Sequence, residues 1–111
     1  MKALPPLVLA SLGLAGPQMI ATPADLLAHA PRFDGKMVTT AGTVKGIQRR
    51  VMRNGNAFTL FDLCEETRCV HVFEYGTPSI ADGQTRTVTG TFFIEKRVGS
   101  AVYRDQIDVP R

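Results

Sequence analysis

Cysteine and histidine are too scarce and too scattered in this sequence to build a metal centre. Cys64 and Cys69 are its only cysteines, and His29 and His71 stand alone. Two thiols without a second Cys/His pair at ligand spacing make a poor zinc site, and Cys-x4-Cys is not the Cys-x-x-Cys of a redox enzyme. Catalytic signatures are missing as well: no Gly-x-Ser-x-Gly, no glycine-rich phosphate loop and no His-Glu-x-x-His occurs. Glu65 and Glu66 are adjacent carboxylates on what reads as a hairpin tip, where solvated charge is the simplest account, and Asp62 reads as a turn-bonding carboxylate. These absences point away from an enzyme and give no reason to expect a cofactor or metal. Low-complexity tracts, heptads and long linkers are also lacking, and 111 residues fit one domain.

The one long apolar run is too short to span a bilayer. It covers Ala3 to Leu14, follows the positive Lys2, and is interrupted by Pro5, Pro6, Ser11 and Gly13. Small residues follow, so residues 1–21 read as a signal peptide, cleaved near Ala15 or Ala21, with the mature domain over 22–111. The expected location is periplasmic or secreted. In an oxidising compartment, Cys64 and Cys69 are expected to form a disulfide. The net charge of +3 drops to +2 without Lys2, too mild by itself to argue for nucleic acid.

One spacing occurs twice. Asp34-Gly35 opens a Thr/Val-rich run that places Gly42 eight residues after the Asp, and Asp82-Gly83 opens a second that places Gly90 at the same distance. A glycine within a β-rich run marks a bulge or bend, and two strands bent at matched points suit a small closed barrel. Thr22-Pro23-Ala24-Asp25 is a helix start; the helix is expected over Ala24–Ala30, stopped by Pro31. Five strands follow, at Lys36–Gln48, Ala57–Leu63, Cys69–Tyr75, Gln84–Ile94 and Ala101–Val109. A helical turn at Pro78–Ile80 is expected in the connection after the third. Val38, Gly42 and Val44 share one face of the first strand, with Gly46 a second bend. Phe58 and Leu60, with Val70 and Val72, are expected to point inward.

The Asp-Gly-Lys-x-Val-x-x-x-Gly-x-Val opening, the Phe-x-Leu-x-Asp of Phe58, Leu60 and Asp62, and the Asp-Gly-Gln before the fourth strand resemble small exported bacterial OB-fold proteins, a group overlapping the nucleic-acid-binding OB superfamily. The resemblance runs from about Pro23 to Val109. It implies an all-β, five-stranded Greek-key barrel with a short N-terminal helix. Thr40 and Arg86 depart from it, since both fall at inward positions where an aliphatic residue is expected. His71 and Tyr75 form a His-x-x-x-Tyr like that of OB-fold haem chaperones, but those carry it beyond the barrel, so the match is accidental.

In an OB barrel the strand one–two and four–five connections flank one cleft. The first carries Lys45, Arg49, Arg50 and Arg53; the second carries Lys96 and Arg97. Strand parity places Phe61, His71 and Phe73 on the face between them. Aromatics beside guanidinium groups bind stacked bases or sugar rings. The expected function is binding of an anionic or glycan-like polymer, or of an acidic protein surface. Single-stranded nucleic acid fits the geometry but ranks below these for an exported protein. The alternative is a protein-interaction or structural subunit of an envelope complex, without a polymer ligand.

Overall fold

The structure is a computed structural model, and it describes residues 19–110. Most of the expected signal peptide, with the Ala15 cleavage position, lies outside the described residues. Within them the elements are β1 (Met19–Ile20), α1 (Pro23–Ala28), α2 (Ala30–Phe33), β2 (Met37–Val51), β3 (Ala57–Glu65), β4 (Arg68–Tyr75), β5 (Thr85–Val98) and β6 (Ala101–Val109). The sheet order is β1-β2-β3-β4-β6-β5, and β5 pairs back onto β2 to close a barrel. All neighbours are antiparallel except β1 with β2 and β4 with β6. β2 to β6 are thus the five expected strands in Greek-key order.

Helix α1 starts as its sequence dictates. The Thr22 hydroxyl accepts from the Asp25 amide at 3.0 Å, and the Asp25 carboxylate accepts from the Thr22 amide at 3.2 Å, a reciprocal capping box. Leu26 is fully buried, and α1 packs chiefly on β4 and β3. Pro31 does not stop the helical segment. It sits in the first turn of α2, where a missing N–H costs nothing because that amide has no helical partner. The segment from Thr77 to Ala81 contains no helix.

Closing so small a barrel forces two strands to change partners. Thr43 of β2 faces both Thr85 of β5 and Cys64 of β3, while Thr91 of β5 faces both Met37 of β2 and Asp108 of β6. Gly42 and Gly90 precede these two switch points. A Cβ on Gly42 would stand 2.8 Å from the Cys64 carbonyl oxygen, and one on Gly90 would stand 2.4 Å from that of Asp108. The glycines are therefore matched corners, demanded by close backbone approach. Farther along β2 the register shifts between Lys45 and Gln48. Gly46, at φ +65°, makes a bulge that moves Gln48 and Arg50 onto the same face as Lys45.

The core is built from Val38, Val44, Phe61, Leu63, Val70, Val72, Val88, Phe92 and Ile107, joined by Leu26 and Phe33. Val70 and Val72 point inward as expected. In β3 the expected parity is reversed. Thr59, Phe61 and Leu63 are buried, whereas Phe58 and Leu60 face outward and are half-buried. Both faces of this strand carry apolar residues, so alternation could not choose between them. The Thr59 hydroxyl is satisfied inside by the Gly76 carbonyl at 2.9 Å.

Thr40 and Arg86 do point inward. Arg86 closes the barrel end with Glu74, at nitrogen–oxygen distances of 2.9 and 3.0 Å, and lies 5.5 Å from the centre of the Phe61 ring. Cys64 and Cys69 face each other across the β3–β4 hairpin and form the expected disulfide. In the chain-entropy model so short a loop contributes about 2 kcal/mol.

Candidate ligand groove on the outer barrel face

The β-ladders place the outward side chains in rows that run across the strands. One row reads Lys45, Asp62, His71, Gln106, Phe93; the next reads Gln48, Leu60, Phe73, Asp108, Thr91, Met37; a third reads Arg50, Phe58, Tyr75. The twisted β2–β3 and β5–β6 arms rise on either side. Between them lies an open groove of about 660 Å³ with Phe58, Leu60, Phe73, Tyr75 and Phe93 among its lining. A smaller hollow of about 360 Å³ continues it over Asp62 and His71, sharing Leu60, Tyr103 and Gln106.

The aromatic residues form a connected surface. Phe58 and Phe73 are offset-stacked with centroids 5.2 Å apart, and Tyr75 meets Phe73 edge-on at 5.0 Å. Such geometry adds rigidity to a partly exposed apolar platform. The polar groups cluster on its flank. Asp108 accepts from Gln106 Nε2 at 2.6 Å and pairs with the Lys96 ammonium, which also lies over the Phe93 ring. His71 Nδ1 stands 2.7 Å from Asp62.

The sequence-predicted residues divide. Arg50, Phe73 and Lys96 line the main groove, and His71 lines its extension. Lys45 and Arg53 are exposed near the β2–β3 arm. Arg49 points away from Arg50 by strand alternation and reaches the Ile80 carbonyl at 3.3 Å. Arg97 pairs with Glu95 at 3.0 Å and does not line the groove. Phe61 is a correction: it is turned into the core, 2% exposed, because β3 carries the reversed parity described above, and it borders only the smaller hollow. Arg49, Arg50, Lys96 and Arg97 belong to strands rather than loops, since β2 and β5 run on past the expected ends.

Phe58, Leu60, Phe93, Gln106 and Asp108 were not anticipated in the site. One signal was available for the first two: Phe58, Leu60 and Asp62 share a parity, and an unpaired aspartate does not point into a dry barrel. Among the described residues no group of three or more His, Cys, Asp or Glu side chains converges to hold a metal, and no helix is long and apolar enough to cross a membrane.

No protein-family model and no curated protein matches the sequence. Solved structures do match the fold. The chain is similar to one in the crystal structure of yeast Stn1 and Ten1, at a TM-score of 0.58 and 11% identity, over 86% of this chain and 62% of that one. This chain thus spans less than two thirds of that yeast chain. It is also similar to a lipoprotein of Klebsiella pneumoniae whose description proposes nucleic-acid binding, at a TM-score of 0.57 and 13% identity, over 85% of this chain and 92% of that one. The fold is the OB fold. At such identities the likeness carries architecture and not ligand. In OB-fold terms the groove occupies the face of the second and third barrel strands, between the two arms where this fold binds oligonucleotides and oligosaccharides.

Proposed function

We propose that this protein is an exported, non-enzymatic OB-fold binding module, periplasmic or secreted, whose ligand is an anionic or glycan-like polymer lying in the outer groove. The observation that carries the reading is the third row. Arg50 stands in register with Phe58 and Phe58 with Tyr75, while Phe73 stacks on Phe58. A cation is therefore held at the rim of a continuous aromatic floor. Ring units of a polymer would pack on Phe58, Phe73 and Tyr75, and negative groups would meet Arg50, Arg53 and Lys45.

The test is calorimetric titration of the purified protein with galacturonate oligosaccharides and with a 12-nucleotide oligo-dT. Phe73→Ala and Arg50→Glu are each expected to weaken binding at least tenfold. Binding indifferent to both substitutions would place the site elsewhere on the barrel.

A second reading draws on the exposed apolar rim. Val51 is 68% exposed and Val98 55% exposed at the tips of the two arms, a pattern that suits contact with a protein in an envelope complex. A salt-resistant protein complex recovered on the tagged protein, with no polymer bound, would favour it.

A further inference from the structure

We infer that the polymer is a glycan whose ring hydroxyls are gripped by Asp108 with Gln106 and by Asp62 with His71; the inference rests on the groove reading above. The polar floor is what distinguishes it. Asp62, His71 and Gln106 are in register across β3, β4 and β6, and Asp108 faces Phe73. Two carboxylates thus lie along the ligand path, beside the aromatic platform. Asp108 is paired with Lys96, and Arg104, which lines the extension, is paired with Glu95, so the groove-facing cations of the β5–β6 arm offer little net charge to a ligand.

A phosphate chain crossing this floor would pass both carboxylates. Like charges repel, and the ion pair with Lys96 leaves Asp108 no net attraction to offer a phosphate. A hydroxyl group meets no such penalty. It donates to a carboxylate oxygen, an amide oxygen or the lone pair of an imidazole nitrogen, and accepts from an ammonium. The floor supplies both kinds of partner. Gln106 is only 5% exposed, and its side-chain nitrogen is spent on Asp108, which leaves the amide held against that carboxylate on the floor. His71 uses Nδ1 on Asp62 and keeps its other ring nitrogen for a ligand. A sugar ring presents an apolar C–H face for Phe73 and Tyr75 and hydroxyls at its edge for this row. Because the main groove and its extension share Leu60, Tyr103 and Gln106, the footprint suits several linked rings.

The experiment screens the purified full chain on an array of neutral and uronic-acid oligosaccharides, then titrates the best binder and the 12-nucleotide oligo-dT by calorimetry. At least one oligosaccharide is expected to bind, with Asp108→Asn, Gln106→Met and Asp62→Asn each weakening it at least tenfold. Asp62 is 39% exposed, so its variant keeps the test open should Asp108→Asn fail to fold. The sign of one substitution separates the ligand classes. Asp108→Asn removes a negative charge and releases Lys96, so it strengthens binding of a phosphate chain while weakening that of a glycan. If oligo-dT binds more tightly than every oligosaccharide and Asp108→Asn strengthens it, the glycan inference is overturned. The groove reading then survives provided Phe73→Ala still weakens binding. If neither class of probe binds, or if binding ignores Phe73→Ala, both fail.

Discussion

At Gly90 a methyl group would meet the backbone of Asp108, which belongs to the ladder and cannot swing aside. At Gly42 the obstacle is the backbone of Cys64, slightly farther off. Overpacking against fixed backbone costs about 1–3 kcal/mol or more. Gly90→Ala is expected to cost about 3 kcal/mol and Gly42→Ala about 2 kcal/mol, in that order, by urea denaturation. Equal stability of both variants with the parent would mean that the strands can part at the corners. Thr40 predicts the opposite sign. It is 2% exposed, and its hydroxyl has no hydrogen-bond partner among the described residues. Thr40→Val keeps the shape and removes a buried, unsatisfied oxygen, so it should stabilise by about 1 kcal/mol, read as a higher urea midpoint at unchanged slope. The two corners were legible in the sequence, because the repeated Asp-Gly turn and the later Gly are local features. Their reason was not legible: Cys64 and Asp108 come near only once the barrel closes.

β3 shows where sequence reading fails at the level of an element. Ala57-Phe58-Thr59-Leu60-Phe61 is apolar on both faces apart from Thr59, with the inner face buried and the outer face half-buried. Alternation identifies a strand here and cannot say which side is the core. A one-residue error of parity exchanges the whole set, which is why Phe61 was expected in the site and Phe58 in the core. The two substitutions now separate. Phe61→Ala should cost about 3–5 kcal/mol as a core cavity and weaken binding less than Phe58→Ala does, since it borders only the smaller hollow. Phe58→Ala should cost about 1 kcal/mol and weaken binding at least tenfold, as measured by paired denaturation and titration. The opposite pattern would restore the sequence-based parity. β1 bears on processing in the same way. Met19 and Ile20 pair with Val38 and Thr39, and the Ala21 amide donates to the Thr39 carbonyl at 3.1 Å. Cleavage after Ala21 would delete this strand and its buried alanine, whereas cleavage near Ala15 would spare both. Mass spectrometry of protein from the native host is expected to place the mature N-terminus near Gly16. A terminus at Thr22 would show that the barrel does without β1.

Over the whole molecule, net charge of +3 overstates what a ligand meets, because pairing is uneven. Arg86, Lys96, Arg97 and Arg104 are tied to Glu74, Asp108 and Glu95, and Arg49 leans on the Ile80 carbonyl. Of the six cations expected in the site, Arg50, Arg53 and Lys45 remain without an ion pair or a backbone partner among the described residues, all toward the β2–β3 side of the groove. The sequence counted both arms as one positive patch; it could not show that a carboxylate 12 residues on, in the next strand, would neutralise Lys96. The difference is measurable. Each neutralised charge on a single-stranded polyanion contributes about −0.7 to the slope of log affinity against log salt. Six engaged cations would give a slope near −4, whereas three give about −2 or shallower. Titrating an anionic oligosaccharide from about 50 to 200 mM salt should therefore return a slope no steeper than about −2. Arg50→Glu should weaken binding at least tenfold without moving the thermal midpoint, since Arg50 is exposed. Arg97→Glu should change affinity little, because that side chain lies off the groove and already answers Glu95. A slope near −4 with equal losses from Arg50→Glu and Arg97→Glu would mean that the β5–β6 arm opens its ion pairs to the ligand. The groove would then work as a two-walled electrostatic clamp, and no longer as an aromatic floor with one charged wall.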